Sequence, residues 1–151
     1  MAAGLRPAPV ARGSDCTHKL IVDALVVSKG KVLLVKYADT KPYDGQTGWF
    51  IPDDYMKEPE HPESTAARIL YEQAGLKVKN VDLGLIESFA HGAWHLIFHY
   101  KIEIKDAQAV KKGKNVAEAK WFPVDKLPPR EECAHHGWAH DIVAKLTVGD
   151  S

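Results

Sequence analysis

Residues 49–76, WFIPDDYMKEPEHPESTAARILYEQAGL, gather the side chains best suited to chemistry: Asp53, Asp54, Glu60, Arg68 and Glu72. Carboxylates are the hard oxygen donors that Mg²⁺ takes, a few at a time, with water completing its shell. A helix sets side chains at i, i+3 and i+4 side by side, and in the second half of this segment those positions are Ile69, Glu72 and Gln73. Glu72 is the one ionisable group among the three. Ile69 neither accepts a proton nor binds a cation. Gln73 offers a neutral carbonyl oxygen, a far weaker Mg²⁺ ligand than a carboxylate.

Five of the eight histidines fall into two further groups. His91, His95 and His99 share a parity, so they can line one face of a strand. Cys133, His136 and His140 fall at i, i+3 and i+7, a helical spacing compatible with Zn²⁺. Neither spacing is specific. Both groups read first as half-exposed or locally hydrogen-bonded histidines, and His95 and His99 also fit the wall of a ligand pocket beside the sheet.

Positioning these groups falls to the elements around them. Residues 1–17, rich in Ala, Gly, Pro and Arg, read as a flexible arm. Residues 20–27 and 31–37 form a hairpin signal around Lys29-Gly30, and residues 38–46 a loop. A short strand is expected at 49–51, ending at Pro52. The sequence His61-Pro62-Glu63 opens a helix, because Pro suits the first helical position and Glu63 complements the helix dipole. It runs to Ala74, with Gly75 as the left-handed cap and Ala67, Leu70, Tyr71 and Ala74 as its apolar stripe. Two strands at 81–89 and 94–104 turn about His91-Gly92, and a last strand is expected at 117–123. A helix over 131–146 closes the chain despite Gly137. Strands on both sides of a central helix, then a final helix, imply a mixed sheet covered on two faces.

At 151 residues the chain fits one domain, and a hydrophobic content of 45% suffices for one core. Twenty basic and twenty acidic residues cancel, which leaves no whole-chain footprint for nucleic acid or an anionic membrane. The basic run at 105–114 reads as a solvated loop. Two cysteines are too few for a disulfide framework. No apolar run reaches the roughly 18 residues that cross a bilayer, and the start lacks the apolar core of a signal peptide. A cytoplasmic location is expected.

The segment at 49–76 resembles the Nudix box, G-x5-E-x7-R-E-U-x-E-E-x-G-U, with U a bulky apolar residue. Aligned on Arg68, the chain has Asp54 for the glycine, then Glu60, Arg68, Ile69, Leu70, Glu72, Gln73, Gly75 and Leu76, so that six of nine defined positions match. The hairpin and the closing segment WFPVDKLPP extend the likeness over residues 18–147. The chain is therefore identified as a member of the Nudix hydrolase superfamily with a degenerate box. The resemblance implies an α/β (α+β) fold, a Nudix-like α/β/α sandwich with a central mixed sheet, forming a single domain at 18–147. It also implies metal-dependent cleavage of the phosphoanhydride in a nucleoside diphosphate linked to another moiety, with Mg²⁺ or Mn²⁺. The partner is then a small-molecule nucleotide derivative, and homodimers are common among such proteins.

Carried over residue by residue, the resemblance makes Glu60 and Arg68 a structural pair bracing loop against helix. It gives Glu72 and Glu118 the catalytic role, and Glu72, Glu118 and Asp54 the metal. Trp49, Asp53 and Asp54 fall to the substrate, with Trp49 or Tyr43 able to stack on a nucleobase, although Trp49, Trp94, Trp121 and Phe122 also read as core anchors. Asp53 and Asp54 replace a Gly-Gly pair, and Asp54 can equally repel a phosphate. Two functions stay open: an atypical pyrophosphohydrolase, or a catalytically inactive Nudix-fold module that binds a nucleotide or a protein.

Overall fold

The computed structural model describes residues 18–148; the expected arm at 1–17 lies outside them. Six strands, β1 (His18–Ser28), β2 (Lys31–Tyr37), β3 (Asp53–Tyr55), β4 (Asp82–His91), β5 (Ala93–Glu103) and β6 (Val116–Pro123), build one sheet. Two helices, α1 (Pro62–Ala74) and α2 (Ala134–Leu146), complete the fold. The sheet runs β4-β5-β1-β2-β6, with β3 paired to β1 off that path. β1 lies parallel to β5, and every other pairing is antiparallel, so the sheet is mixed.

The β1–β2 hairpin closes through Lys29 and Gly30, both at positive φ (47° and 75°), the backbone a tight two-residue turn requires. The strands pair only at Val27↔Val32 and Ser28↔Lys31 before parting. The stretch between Trp49 and Tyr55 fills the gap. Phe50 exchanges backbone hydrogen bonds with Val35 at 2.8 and 2.9 Å, the carbonyl of Pro52 accepts from Ala24 N–H at 2.9 Å, and β3 then pairs Asp23↔Asp53 through Ile21↔Tyr55. The strand expected at 49–51 is thus reduced to isolated bridges, and the ladder begins after Pro52. Pro52 has no N–H to keep pairing with.

Side-chain alternation along β1 separates two cores. Val22, Ala24 and Val26 pack with Ala66, Ile69, Leu70 and Ala74 of α1. Leu25 and Val27 pack with Ala139, Ile142, Val143 and Leu146 of α2. The result is an α/β/α sandwich. Of the expected aromatic anchors, Trp49 is buried, whereas Trp94 is half exposed and donates its indole N–H to Ser88 Oγ at 2.8 Å.

α1 starts with Pro62 and ends at Gly75 in the left-handed region (φ 70°), where Gly75 and Leu76 N–H groups cap the carbonyls of Tyr71 and Leu70. Its buried face is Thr65, Ala66, Ile69, Leu70, Gln73 and Ala74. The expected stripe was one residue out of phase, because Tyr71 faces solvent. The basic run also does more than solvate. Lys111 and Gly113 N–H groups bond the carbonyls of Ala74 and Gln73 at 2.9 and 3.0 Å, satisfying the open end of α1. A Cβ on Gly113 would lie 1.9 Å from the Glu72 carbonyl, so only glycine allows that approach.

The closing helix begins late. A single 3₁₀ turn, Arg130–Glu132, precedes it, and His135, His136 and Gly137 all take left-handed φ values of 51°, 56° and 87°. For non-glycine residues this costs about 1–2 kcal/mol each. Hydrogen bonds hold the turn: His135 N–H to Gln46 Oε1 at 2.9 Å and Ala134 N–H to the Trp49 carbonyl at 3.0 Å. Cys133, His136 and His140 consequently do not share a helical face. Cys133 and His140 both bond the Pro128 carbonyl, and His136 is exposed. No helix among the described residues is long and apolar enough to cross a membrane.

Candidate functional site

α1 presents Arg68 toward the loop that enters it, and the guanidinium gathers three carboxylates. Its Nε donates to Glu60 Oε2 at 2.7 Å and its Nη2 to Glu60 Oε1 at 3.1 Å and to the Tyr55 carbonyl at 3.0 Å. Its Nη1 donates to Asp54 Oδ2 at 3.0 Å and to Glu72 Oε1 at 3.1 Å. All five guanidinium N–H groups are engaged. The hydrogen bond from Arg68 pulls the Glu60 pKa down to about 2, against desolvation and with help from Lys57 N–H and Thr65. Bidentate pairing of this kind fixes geometry as well as charge.

Gln73 points the other way, into the protein. Its Oε1 accepts from the Tyr37 hydroxyl at 2.7 Å, and its Nε2 donates to the Asp53 carbonyl at 2.8 Å. Asp53 N–H in turn donates to Tyr37 Oη at 3.0 Å. Ile69 is fully buried in the core beneath the sheet. The three positions that could have formed a ligand face therefore diverge: Ile69 and Gln73 are buried, and Glu72 stands outside on Arg68.

Two recesses meet beside this loop. One, about 280 Å³, is lined by Tyr43, Phe50, Asp53, His95, His135 and Trp138, among others; the second, about 400 Å³, takes in Tyr37, Glu72, Gln73, Lys114 and Asn115. Tyr43 and Asp54 border both. Aromatic pairs build the walls: Tyr43 stacks on Tyr37 with centroids 3.7 Å apart, and His95 stacks on Phe89 at 4.8 Å.

Asp54 and Glu72 come together on Arg68 and line the same recess. Asp53 lines the first recess and Asp54 both. Glu118, on β6, is exposed, pairs with Lys36 at 3.6 Å, and borders neither recess. Trp49 lies in the core on the α2 side, edge-on to Phe122 at 5.0 Å and under the Lys36 ammonium. Among the described residues no group of three or more His, Cys, Asp or Glu side chains is arranged to hold a metal ion.

His99 is fully buried between two acids, with Nδ1 at 2.7 Å from Asp23 Oδ2 and Nε2 at 2.7 Å from Glu87 Oε1. Burial disfavours its charge, but the two carboxylates outweigh it and hold its pKa above the ordinary value. His91 and His95 line the first recess; His99 does not. Sequence reasoning missed Tyr37, Asp23, Lys114 and Trp138. Asp23 alone carried a signal, as a charge inside an otherwise apolar strand run.

A family model for the NUDIX domain matches residues 17–142. Nudix hydrolase 6 of Arabidopsis thaliana is 28% identical over 119 residues, which is 75% of this chain and 42% of that protein. The chain thus spans less than half the length of this curated relative. Among solved structures, a NUDIX hydrolase from Nitrosomonas europaea superposes with a TM-score of 0.70 at 17% identity, covering 87% of this chain and 89% of the other. The NUDIX domain of Shewanella oneidensis NrtR, complexed with ADP ribose, gives 0.64 at 22% identity over 89% and 90%. A C. elegans Ap4A hydrolase in a binary complex gives 0.67 at 12% identity over 88% and 96%. At these identities the likeness is one of fold.

Proposed function

Since the chain belongs to the NUDIX family, we propose that it binds a nucleoside diphosphate derivative in the paired recesses beside α1 and β3 without cleaving it. The observation that carries this reading is the engagement of Gln73. Its one oxygen is taken by Tyr37 and its nitrogen by the Asp53 carbonyl, so of the three helix positions Ile69, Glu72 and Gln73 only Glu72 is left to offer a cation.

The donor set does not fit Mg²⁺ or Mn²⁺. These ions take oxygen ligands, carboxylates above all, and Ile69 is an apolar core residue at one of the three helix positions. Asp54 Oδ2 and Glu72 Oε1 each already accept from Arg68 Nη1, so a metal on those two oxygens would compete with the guanidinium. Removing that partner leaves Glu60 unbalanced as well.

Binding draws on different groups. The aromatic walls of the first recess suit a planar ring. Lys114, at the rim of the second, supplies a cation for phosphate oxygens. Their recesses touch at Tyr43 and Asp54, so one ligand can span both.

Metal-dependent hydrolysis by Glu72, Glu118 and Asp54 is the second reading. It is favoured by the convergence of Asp54 and Glu72 on Arg68 Nη1 at 3.0 and 3.1 Å. Calorimetric titration with ADP, with and without Mn²⁺, followed by a phosphate-release assay over nucleoside diphosphate derivatives, separates the two. Saturable ADP binding that needs no metal, with no product, is the expected result. Turnover that requires Mn²⁺ and is lost in Glu72→Gln overturns it. A cytoplasmic location and a homodimer accompany this proposal, the latter checked by sedimentation.

A further inference from the structure

A row of three ionisable side chains runs across the α2 side of the sheet, and the binding groups named above make no use of it. Asp23 on β1 stands beside His99 on β5 in the parallel ladder, and Glu87 reaches the same imidazole from β4. His99 Nδ1 lies 2.7 Å from Asp23 Oδ2, and Nε2 lies 2.7 Å from Glu87 Oε1. The side chains of His99 and Asp23 are fully buried, whereas that of Glu87 is 27% exposed. Trp138 of α2 covers the row. Its indole N–H donates to the same Glu87 Oε1 at 3.4 Å, and its ring packs on His99 with centroids 5.5 Å apart. Trp138 lines the 280 Å³ cavity; the three ionisable groups do not.

The two short contacts set how many protons the row holds. A carboxylate only accepts, and a neutral imidazole carries one N–H. An acid oxygen at each ring nitrogen therefore needs a second proton, carried by the imidazole or shared between it and Asp23. Asp23 from β1, Glu87 from β4 and the indole of Trp138 from α2 face His99. Next in line are Asp53, opposite Asp23 on β3, and Lys101, two residues along β5 and paired with Glu103 at 3.3 Å. Burial lowers the His99 pKa, and the hydrogen bonds and charges of Asp23 and Glu87 then bring it above the ordinary 6.5. Without the second proton, one of the two contacts sets lone pair against lone pair. Asp23 has no exposed surface, and its Oδ1 has no hydrogen-bond partner, so it cannot turn to water. Glu87, part exposed on the edge strand β4, can.

We propose that His99 and Glu87 are positioning residues that hold Trp138 in the cavity wall while the row keeps its second proton, and that loss of this proton releases Glu87 to solvent and loosens the wall. The site then binds its ligand best in the protonated form. That consequence rests on the reading of the chain as a nucleotide binder; the movement of the wall does not. Neither His99 nor Glu87 touches the ligand, and the effect passes through the indole. Linkage is reciprocal, so a ligand that needs the wall in place also strengthens the hold on the proton.

The corner before α2 makes this coupling local. Trp138 follows directly on the left-handed residues His135, His136 and Gly137, so the corner places its backbone, while the indole N–H is tied to Glu87. Release of Glu87 frees the ring and leaves the helix intact.

The test follows the whole chain from pH 6 to 10 by tryptophan fluorescence and by calorimetric titration with ADP, with Trp138→Phe isolating one of the four tryptophans. Fluorescence is expected to change with a single midpoint above pH 6.5, and the change should vanish in Trp138→Phe. ADP affinity should fall above that midpoint by about tenfold per pH unit at most, the slope of one linked proton. Binding there should take up protons, read by comparing buffers of different ionisation enthalpy. Glu87→Gln, which removes the charge and keeps an acceptor, should move both midpoints down together. Wild-type fluorescence and ADP affinity that stay flat from pH 6 to 10 overturn the inference, and so does a fluorescence change that persists in Trp138→Phe. ADP that binds at no pH overturns the binding reading instead, while the fluorescence midpoint still tests the wall. The wild-type profiles need no variant, so a substitution that fails to fold leaves the test intact.

Discussion

The hydroxyl group of Tyr37 on β2 donates to Oε1 of Gln73 on α1 at 2.7 Å, a buried bond that ties the helix to the sheet. The same hydroxyl accepts from Asp53 N–H at 3.0 Å. Three elements therefore meet at one phenol oxygen. Burial pushes the Tyr37 pKa well above the ordinary phenol value, so the hydroxyl remains available as a donor.

Tyr37→Phe removes that oxygen and leaves the Gln73 carbonyl and the Asp53 N–H without their partner. A cost of about 1–3 kcal/mol is expected, read as a lower urea midpoint with an unchanged slope. A midpoint equal to wild type would mean that water replaces the phenol without loss.

Ile69→Glu restores the residue type of the box but places a carboxylate in the α1 core. The expected cost is about 3 kcal/mol or more, the scale of losing a buried aliphatic side chain with an unpaired charge added. Thermal melting should show the loss, and calorimetry should show no gain in Mn²⁺ binding. A folded variant with new metal affinity would contradict the placement of Ile69.

Glu60 makes the fold acid-sensitive in a particular window. Its folded pKa of about 2 lies below the ordinary value of 4.5. A depressed carboxyl pKa contributes stability that is present above the unfolded value and lost as pH falls through the folded one. Melting temperature is thus expected to drop between about pH 4.5 and 2. Glu60→Gln should lower stability at neutral pH and flatten that part of the profile.

Asp53 has the opposite sign. Its pKa is raised in the fold, so its contribution is fully present below the unfolded carboxyl value and declines as pH rises through the folded one. Asp53→Asn, which never ionises, should melt higher than wild type at the alkaline end and lose this part of the downward slope. Parallel profiles for the two proteins would show that Asp53 ionises as freely in the fold as outside it.

Much of this architecture is legible in local sequence. Pro62 and Gly75 mark the ends of α1 at the residues where the structure places them, and Lys29-Gly30 marks the hairpin turn. These signals are local because each rests on the φ preference of one residue. The phase of α1 was less legible, since Tyr71 and Ile69 are both apolar and only the packing partner decides which goes inward. The late start of α2 depends on contacts with Gln46 and Trp49 some ninety positions away in the chain, which no window around His135 contains. The same holds for the site. The resemblance to the box pointed to Arg68 and Glu60 as a pair, but the Tyr37–Gln73–Asp53 clasp joins three elements by tertiary contact, and a glutamine in a helix gives no sign of it.

The left-handed turn at His135, His136 and Gly137 leaves the cavity's character in the hands of the chain's last third. A Cβ on Gly137 would come within 2.7 Å of the Arg130 side chain, so with its positive φ the corner favours glycine. That turn directs His135 and Trp138 to the recess while His136 stays outside. The walls of one chamber are consequently drafted by separate stretches of sequence, among them one beside the box and one about eighty residues later. Related chains can then keep the helix and its arginine hub unaltered and still exchange one occupant for another, by rewriting a four-residue corner that carries no motif.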